Sequence, residues 1–153
     1  MRSHPHPAAA RAAEVPEADF FAALALCLCL PPADAAVFRA STVFTGPAGL
    51  ACKVVWQSAD GACGARPEIL LPLPADDLAG PGVRQLLTVQ ALLLSDFGWY
   101  LGLSGEGLLQ ITPLLWMNRP ADVAAALDVG NLLGAVVLDR MNQPAGAVDT
   151  AAR

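Results

Sequence analysis

The chain has 153 residues, enough for one domain with its own core. Hydrophobic residues make up 55% of it and charged ones only 15%, an apolar excess over the usual globular share. The net charge is −5 and Lys53 is the single lysine, so the basic surface that nucleic-acid phosphates demand is missing and nucleic acid is excluded as a partner. The excess implies either a core large for the size or apolar surface kept for a protein partner.

Residues 1–14, "MRSHPHPAAARAAE", are rich in alanine and proline and have no periodicity, which predicts a disordered tail. The first helix is expected from Pro16, with Glu17 and Asp19 at its positive end, to about Leu30, where Pro31-Pro32 stops it. Its run "FFAALALCLCLPPA" is the longest apolar one and is shorter than a bilayer span, so no membrane insertion is expected. Ala33-Asp34-Ala35 has the look of a signal cleavage site. Glu14, Glu17 and Asp19, however, stand where a signal peptide needs positive charge, which favours a core helix and a cytoplasmic protein.

Four cysteines are present: Cys27, Cys29, Cys52 and Cys63. In a helix Cys27 and Cys29 would lie about 200° apart and could not share a metal. The four are read as thiols without a disulfide or zinc role, Cys52 buried beside Val54 and Trp56, and Cys63 exposed in a loop.

The period then shifts toward two. "VFRASTVFT" (37–45), "ACKVVWQS" (51–58) and "EILLPLP" (68–74) predict a three-stranded meander, with "GPAG" as the first turn and "ADGACGARP" as a longer loop. A helix from Val83 to about Ser95 follows, with an apolar arc about 160° wide broken only by Gln90. Such an arc suits either a helix packed on two sides of its own domain or one shared with a second subunit. "WYLGL" and "LLQITPLLWM" predict a hairpin turning at Ser104–Gly107, and Pro113 requires an edge or a bulge in its strand. Strand alternation also turns one of Trp99 and Tyr100, and one of Trp116 and Met117, off the core face. A last helix is capped by Asn118, begins with Pro120 and Asp122, and runs to about Met141. Residues 142–153 read as a second disordered tail around one domain at 15–141.

The predicted order is therefore α-β-β-β-α-β-β-α, an α+β fold with an antiparallel sheet and helices on one side. Its body offers little chemistry. Both histidines, His4 and His6, are in the first tail. Asp76-Asp77 is the only adjacent acidic pair, and it precedes a helix, where solvated acids are ordinary. "GLSGEG" joins two strands and so is a hairpin turn and not a phosphate cradle. No catalytic residue, cofactor or metal is expected.

The stretch "LLTVQALLLSDFGWYLGLSGEGLLQITPLLWMNRPADVAAALDVGNLL" resembles the class I type III secretion chaperones, the Tir-chaperone (CesT-like) family. Leu101-Gly102-Leu103, Gly105 and Gly107, Leu108-Leu109 and Asp122 take the places of that family's Leu-rich helix-strand-turn-strand-helix pattern, and Pro113 departs from it. The resemblance implies a homodimer in the bacterial cytoplasm. It would hold the N-terminal segment of a secreted effector in extended form, without ATP, through apolar grooves and strand addition. On that basis Leu86, Val89, Leu93 and Trp99 are the expected dimer interface. Phe20, Phe21, Leu24, Phe44, Val54 and Trp56 are the candidate effector groove, several of them necessarily core. The alternative reading is a non-catalytic structural protein or an enzyme subunit of the same fold.

Overall fold

The computed structural model describes residues 15–59, 62–78 and 80–143. The tails expected at 1–14 and 142–153 fall outside these residues, except that Asn142 closes the last helix and Gln143 follows it. Helix α1 (Glu17–Cys27) and a short α2 (Pro32–Val37) precede strands β1 (Phe44–Thr45), β2 (Ala51–Ala59) and β3 (Ala62–Pro74). Helix α3 (Gly80–Leu92), strands β4 (Trp99–Leu103) and β5 (Leu108–Pro113), and helix α4 (Pro120–Asn142) complete the fold. The five strands form one antiparallel sheet in the order β1-β2-β3-β5-β4. The α+β class and the antiparallel sheet are as the sequence predicts.

Four local readings are corrected. The first helix stops at Cys27, short of Leu30 and of Pro31-Pro32, because Cys29 turns left-handed (φ 53°), and the two prolines instead open α2, where a proline suits the first turn. The strand expected at 37–45 shrinks to Phe44–Thr45, since Ser41 adopts a left-handed backbone (φ 63°) that no strand accommodates. The loop expected before Glu68 is instead strand, because β3 pairs with β2 from Ala62 onward and the ladder overrides the glycines. At α4, Arg119 and not Asn118 occupies the cap position, and no side chain caps there.

The core lies between the helices and one sheet face. That face carries Cys52 and Val54 of β2, Ile69 and Leu71 of β3, and Ile111 of β5, all fully buried. Helix α4 sits directly on it. A Cβ on Gly130 would come within 2.5 Å of the Trp99 ring and one on Gly134 within 2.6 Å of Leu50, so the two glycines are what let the helix backbone approach the sheet. α4 is also the one described helix long and apolar enough to cross a membrane by length and composition, a property the run-length reading overlooked. Its Val123, Leu127, Gly130, Asn131, Gly134 and Val137 are spent on packing within the domain.

Pro113 does not lie on an edge strand, but the bulge expected there is present: pairing with β3 moves from Ile69–Ile111 to Ala65–Met117, which leaves extra residues on the β5 side. β5 runs between β3 and β4, and counting on from the Ile69–Ile111 pair places Pro113 opposite Pro67. Neither proline has an N–H, so the ladder stops there. The hydroxyl of Thr112 donates instead to the Pro67 carbonyl at 2.8 Å. Leu114, Leu115 and Trp116 then loop out, and pairing resumes only where Met117 and Ala65 exchange N–H···O bonds of 2.9 and 2.7 Å. Alternation is resolved as well: Trp99 is in the core with Met117 packed against it, while Tyr100 and Trp116 are turned off it.

Candidate functional site

The six groove candidates separate by burial. Phe20, Phe21, Leu24 and Val54 are at most 2% exposed, so they form the core between α1 and the sheet and present no surface. The aromatic ones pack edge to face or tilted: Phe20 meets Trp56 at 5.0 Å between ring centroids, Phe21 meets Phe38 at 5.7 Å, and Phe38 meets Phe44 at 5.3 Å. Phe44 and Trp56 are half-buried at the rim of this cluster. Elsewhere on this half of the chain Leu26, Val37 and Val43 are each more than half exposed. The first helix is apolar nearly all round in sequence, and Leu26 is its uncovered side.

The dimer candidates are likewise turned inward. Val89, Leu93 and Trp99 are buried within the chain and Leu86 is half-buried. The wide arc of α3 divides into this inner stripe and an outer one, Val83, Leu87 and Leu94, which the chain leaves exposed. A wider, π-helical turn over Leu93–Phe97 extends the outer stripe to Phe97. Sequence spacing identified the arc but could not tell which half the sheet would take.

The two edges of the sheet differ. At β4 the N–H of Leu101 points outward and donates to the side-chain oxygen of Gln90 at 2.6 Å. The polar residue that interrupts the α3 arc thus caps an edge strand and blocks the pairing of a further strand at its middle. At β2 the cover is short. β1 pairs only at Ala51 and Cys52, and Ser41 N–H reaches the Val54 carbonyl at 2.8 Å. In this register the N–H and C=O groups of Trp56 and Ser58 face outward, past the end of that cover, while the intervening residues bond β3. An extended chain can add there.

The sheet face turned away from the helices carries Lys53, Arg66, Glu68, Tyr100, Gln110 and Thr112. Lys53 and Glu68 pair across β2 and β3 at 3.0 Å. Between the β1–β2 turn and the β4–β5 hairpin this face has a depression of about 630 Å³ lined largely by Val43, Leu50, Leu70, Pro72 and Leu108. Lys53, Ser104 and Glu106 add polar groups to this mainly apolar lining.

Among the described residues no three His, Cys, Asp or Glu side chains gather as a metal site would need. Cys27 and Cys29 are exposed, and Cys63 is a half-buried strand residue whose thiol meets the Ser58 hydroxyl at 3.4 Å, not the exposed loop residue that its glycine neighbours suggest. Burial pushes the Cys52 thiol up from its ordinary range despite its contact with Asn131. Compared with known proteins, the chain matches no family model, no curated protein and no solved structure.

Proposed function

We propose that this protein is a cytoplasmic chaperone that binds the N-terminal segment of a type III secreted effector and keeps it extended for export, without ATP. The observation that carries the reading is the outward-facing backbone of β2 at Trp56 and Ser58, past the end of the β1 cover, with the half-buried Trp56 side chain on the same stretch. Backbone hydrogen bonds at such an edge hold any extended chain, and the neighbouring apolar surface selects its side chains. An unfolded segment can bring its whole backbone to such an edge, as the proposed client would.

Hydrogen exchange with and without a co-purified effector segment tests this. The amides of Trp56 and Ser58 are expected to gain protection on binding, while that of Leu101, already bonded to Gln90, stays unchanged. Protection confined to α4 would count against the reading.

The same proposal includes a homodimer through the outer stripe of α3, since Val89, Leu93 and Trp99, expected there from sequence, are buried within the chain. Leu87, 65% exposed in the single chain, is its central residue. Light scattering at micromolar concentration is expected to give twice the chain mass for the wild type and the mass of one chain for Leu87→Glu. A wild-type monomer, or a variant that remains dimeric, contradicts it.

A further inference from the structure

Arg66 is the one half-buried arginine among the described residues, and no carboxylate pairs with it; the nearest acid on its strand, Glu68, is engaged by Lys53 at 3.0 Å. Its guanidinium lies 4.4 Å from the ring centroid of Trp116 and 5.7 Å from that of Tyr100. Its Nε is out of contact with solvent and has no hydrogen-bond acceptor. Each wall is fixed by the backbone. Tyr100 is held by its pairing with Thr112, and Trp116 by the loop that Pro113 forces open and that the Met117–Ala65 bridge closes.

We infer that Arg66, between Trp116 and Tyr100, is an anion-receiving point for a carboxylate side chain of a bound polypeptide, one flanked by apolar residues. Three features select that occupant. A guanidinium stripped of part of its water forms stronger charge-assisted bonds than a surface arginine, and its planar fork matches a carboxylate. Two aromatic faces fix the plane of the fork without neutralising it. Trp116 is 40% exposed, and Leu114 and Leu115, which precede it in the same loop, are 50% and 75% exposed, so the residues next to the acid meet apolar surface. The chain as a whole carries −5 and repels acidic segments, so attraction at this point confers selectivity for where the acid is placed. This site is on the sheet face and not on the β2 edge, so it stands or falls apart from the strand-addition reading.

The test uses the full chain labelled with ¹⁵N and the blocked peptide Ac-Gly-Leu-Glu-Leu-Gly-NH₂, with its Gln twin as control. The Nε–H resonance of Arg66, identified by its loss in Arg66→Gln, is followed during titration. It is expected to shift and saturate with the Glu peptide, and the Gln twin is expected to bind roughly tenfold more weakly. Arg66→Lys, which keeps the charge but loses the fork, is expected to lose the preference for Glu. Equal binding of the two peptides overturns the inference. So does an Arg66 signal that stays in place up to about 1 mM Glu peptide, or a preference that survives in Arg66→Lys.

Discussion

Replacing Phe21 with alanine is expected to lower the folding free energy by about 3–5 kcal/mol. The side chain is 2% exposed and sits between the rings of Phe20 at 5.8 Å, Phe38 at 5.7 Å and Trp56 at 6.3 Å. Its removal costs the transfer free energy of a phenyl ring and leaves a cavity that three neighbouring rings, each held by others, cannot collapse to fill. The loss is a large part of the roughly 5–15 kcal/mol that a domain of this size has. Leu26→Ala is the control: the same helix, a residue 79% exposed, and an expected change within about 0.5 kcal/mol. Urea denaturation of both variants checks the pair. A Phe21→Ala midpoint close to wild type would mean that α1 is not anchored by this cluster. The comparison also separates roles, because a Phe21 variant that fails to bind a client has lost its fold, whereas a Leu26 variant that fails to bind has lost surface.

The element order was legible because long-range pairing and local pattern agree over most of the chain. β2, the β4–β5 hairpin and α4 have periodicity, turn residues and first-turn prolines that point to the same structure. Where local signals and pairing disagree, the pattern misleads. "ACGAR" looks like loop by composition, yet Cys63, Gly64, Ala65 and Arg66 take partners on β2. Pro31-Pro32 reads as a helix stop, yet α1 has already ended at Cys27 and the pair opens α2. Pro113 signals an irregularity, but only the register reveals that it faces another proline.

The candidate surface was legible as a type and not as a set of residues. Periodicity detects an apolar arc but is blind to which side the remainder of the chain covers: Leu86, Val89 and Leu93 read from sequence as the free side, while Val83, Leu87 and Leu94 are the exposed ones. Gln90 could have been read as a functional signal, since a lone amide in an apolar arc needs a hydrogen-bonding partner. Its partner, the Leu101 N–H, is eleven residues away and defined only by how α3 lies along β4. Arg66 gave no sequence signal, because its walls come from two separate segments.

Changing Asn131 to aspartate is expected to cost several kcal/mol at pH 7, though only an amide nitrogen is exchanged for oxygen. The side chain is fully buried in α4. Its Nδ2 donates to the Leu127 carbonyl at 3.0 Å and to the Cys52 sulfur at 3.1 Å, and its Oδ1 has no partner. An ionised aspartate would set a charge against both of these electron-rich atoms, with no cation near it. Burial raises the pKa of such a carboxyl above the value of about 3.9 that it has unfolded. The folded variant therefore holds a proton that the unfolded chain has released, and stability relative to wild type falls as pH rises above about 4. The slope is about 1.4 kcal/mol per pH unit up to the folded pKa. At pH 4 and below the neutral acid can donate its O–H to the Leu127 carbonyl, and the deficit shrinks. Urea denaturation of both proteins from pH 4 to 8 measures the difference, which removes the pH dependence common to the two chains. Asn131→Leu separates charge from shape: it deletes the unpartnered oxygen together with the donor and is expected to show no pH-dependent deficit. An aspartate deficit that is independent of pH, or below about 1 kcal/mol at pH 7, would place residue 131 in contact with water and α4 off the sheet at that turn.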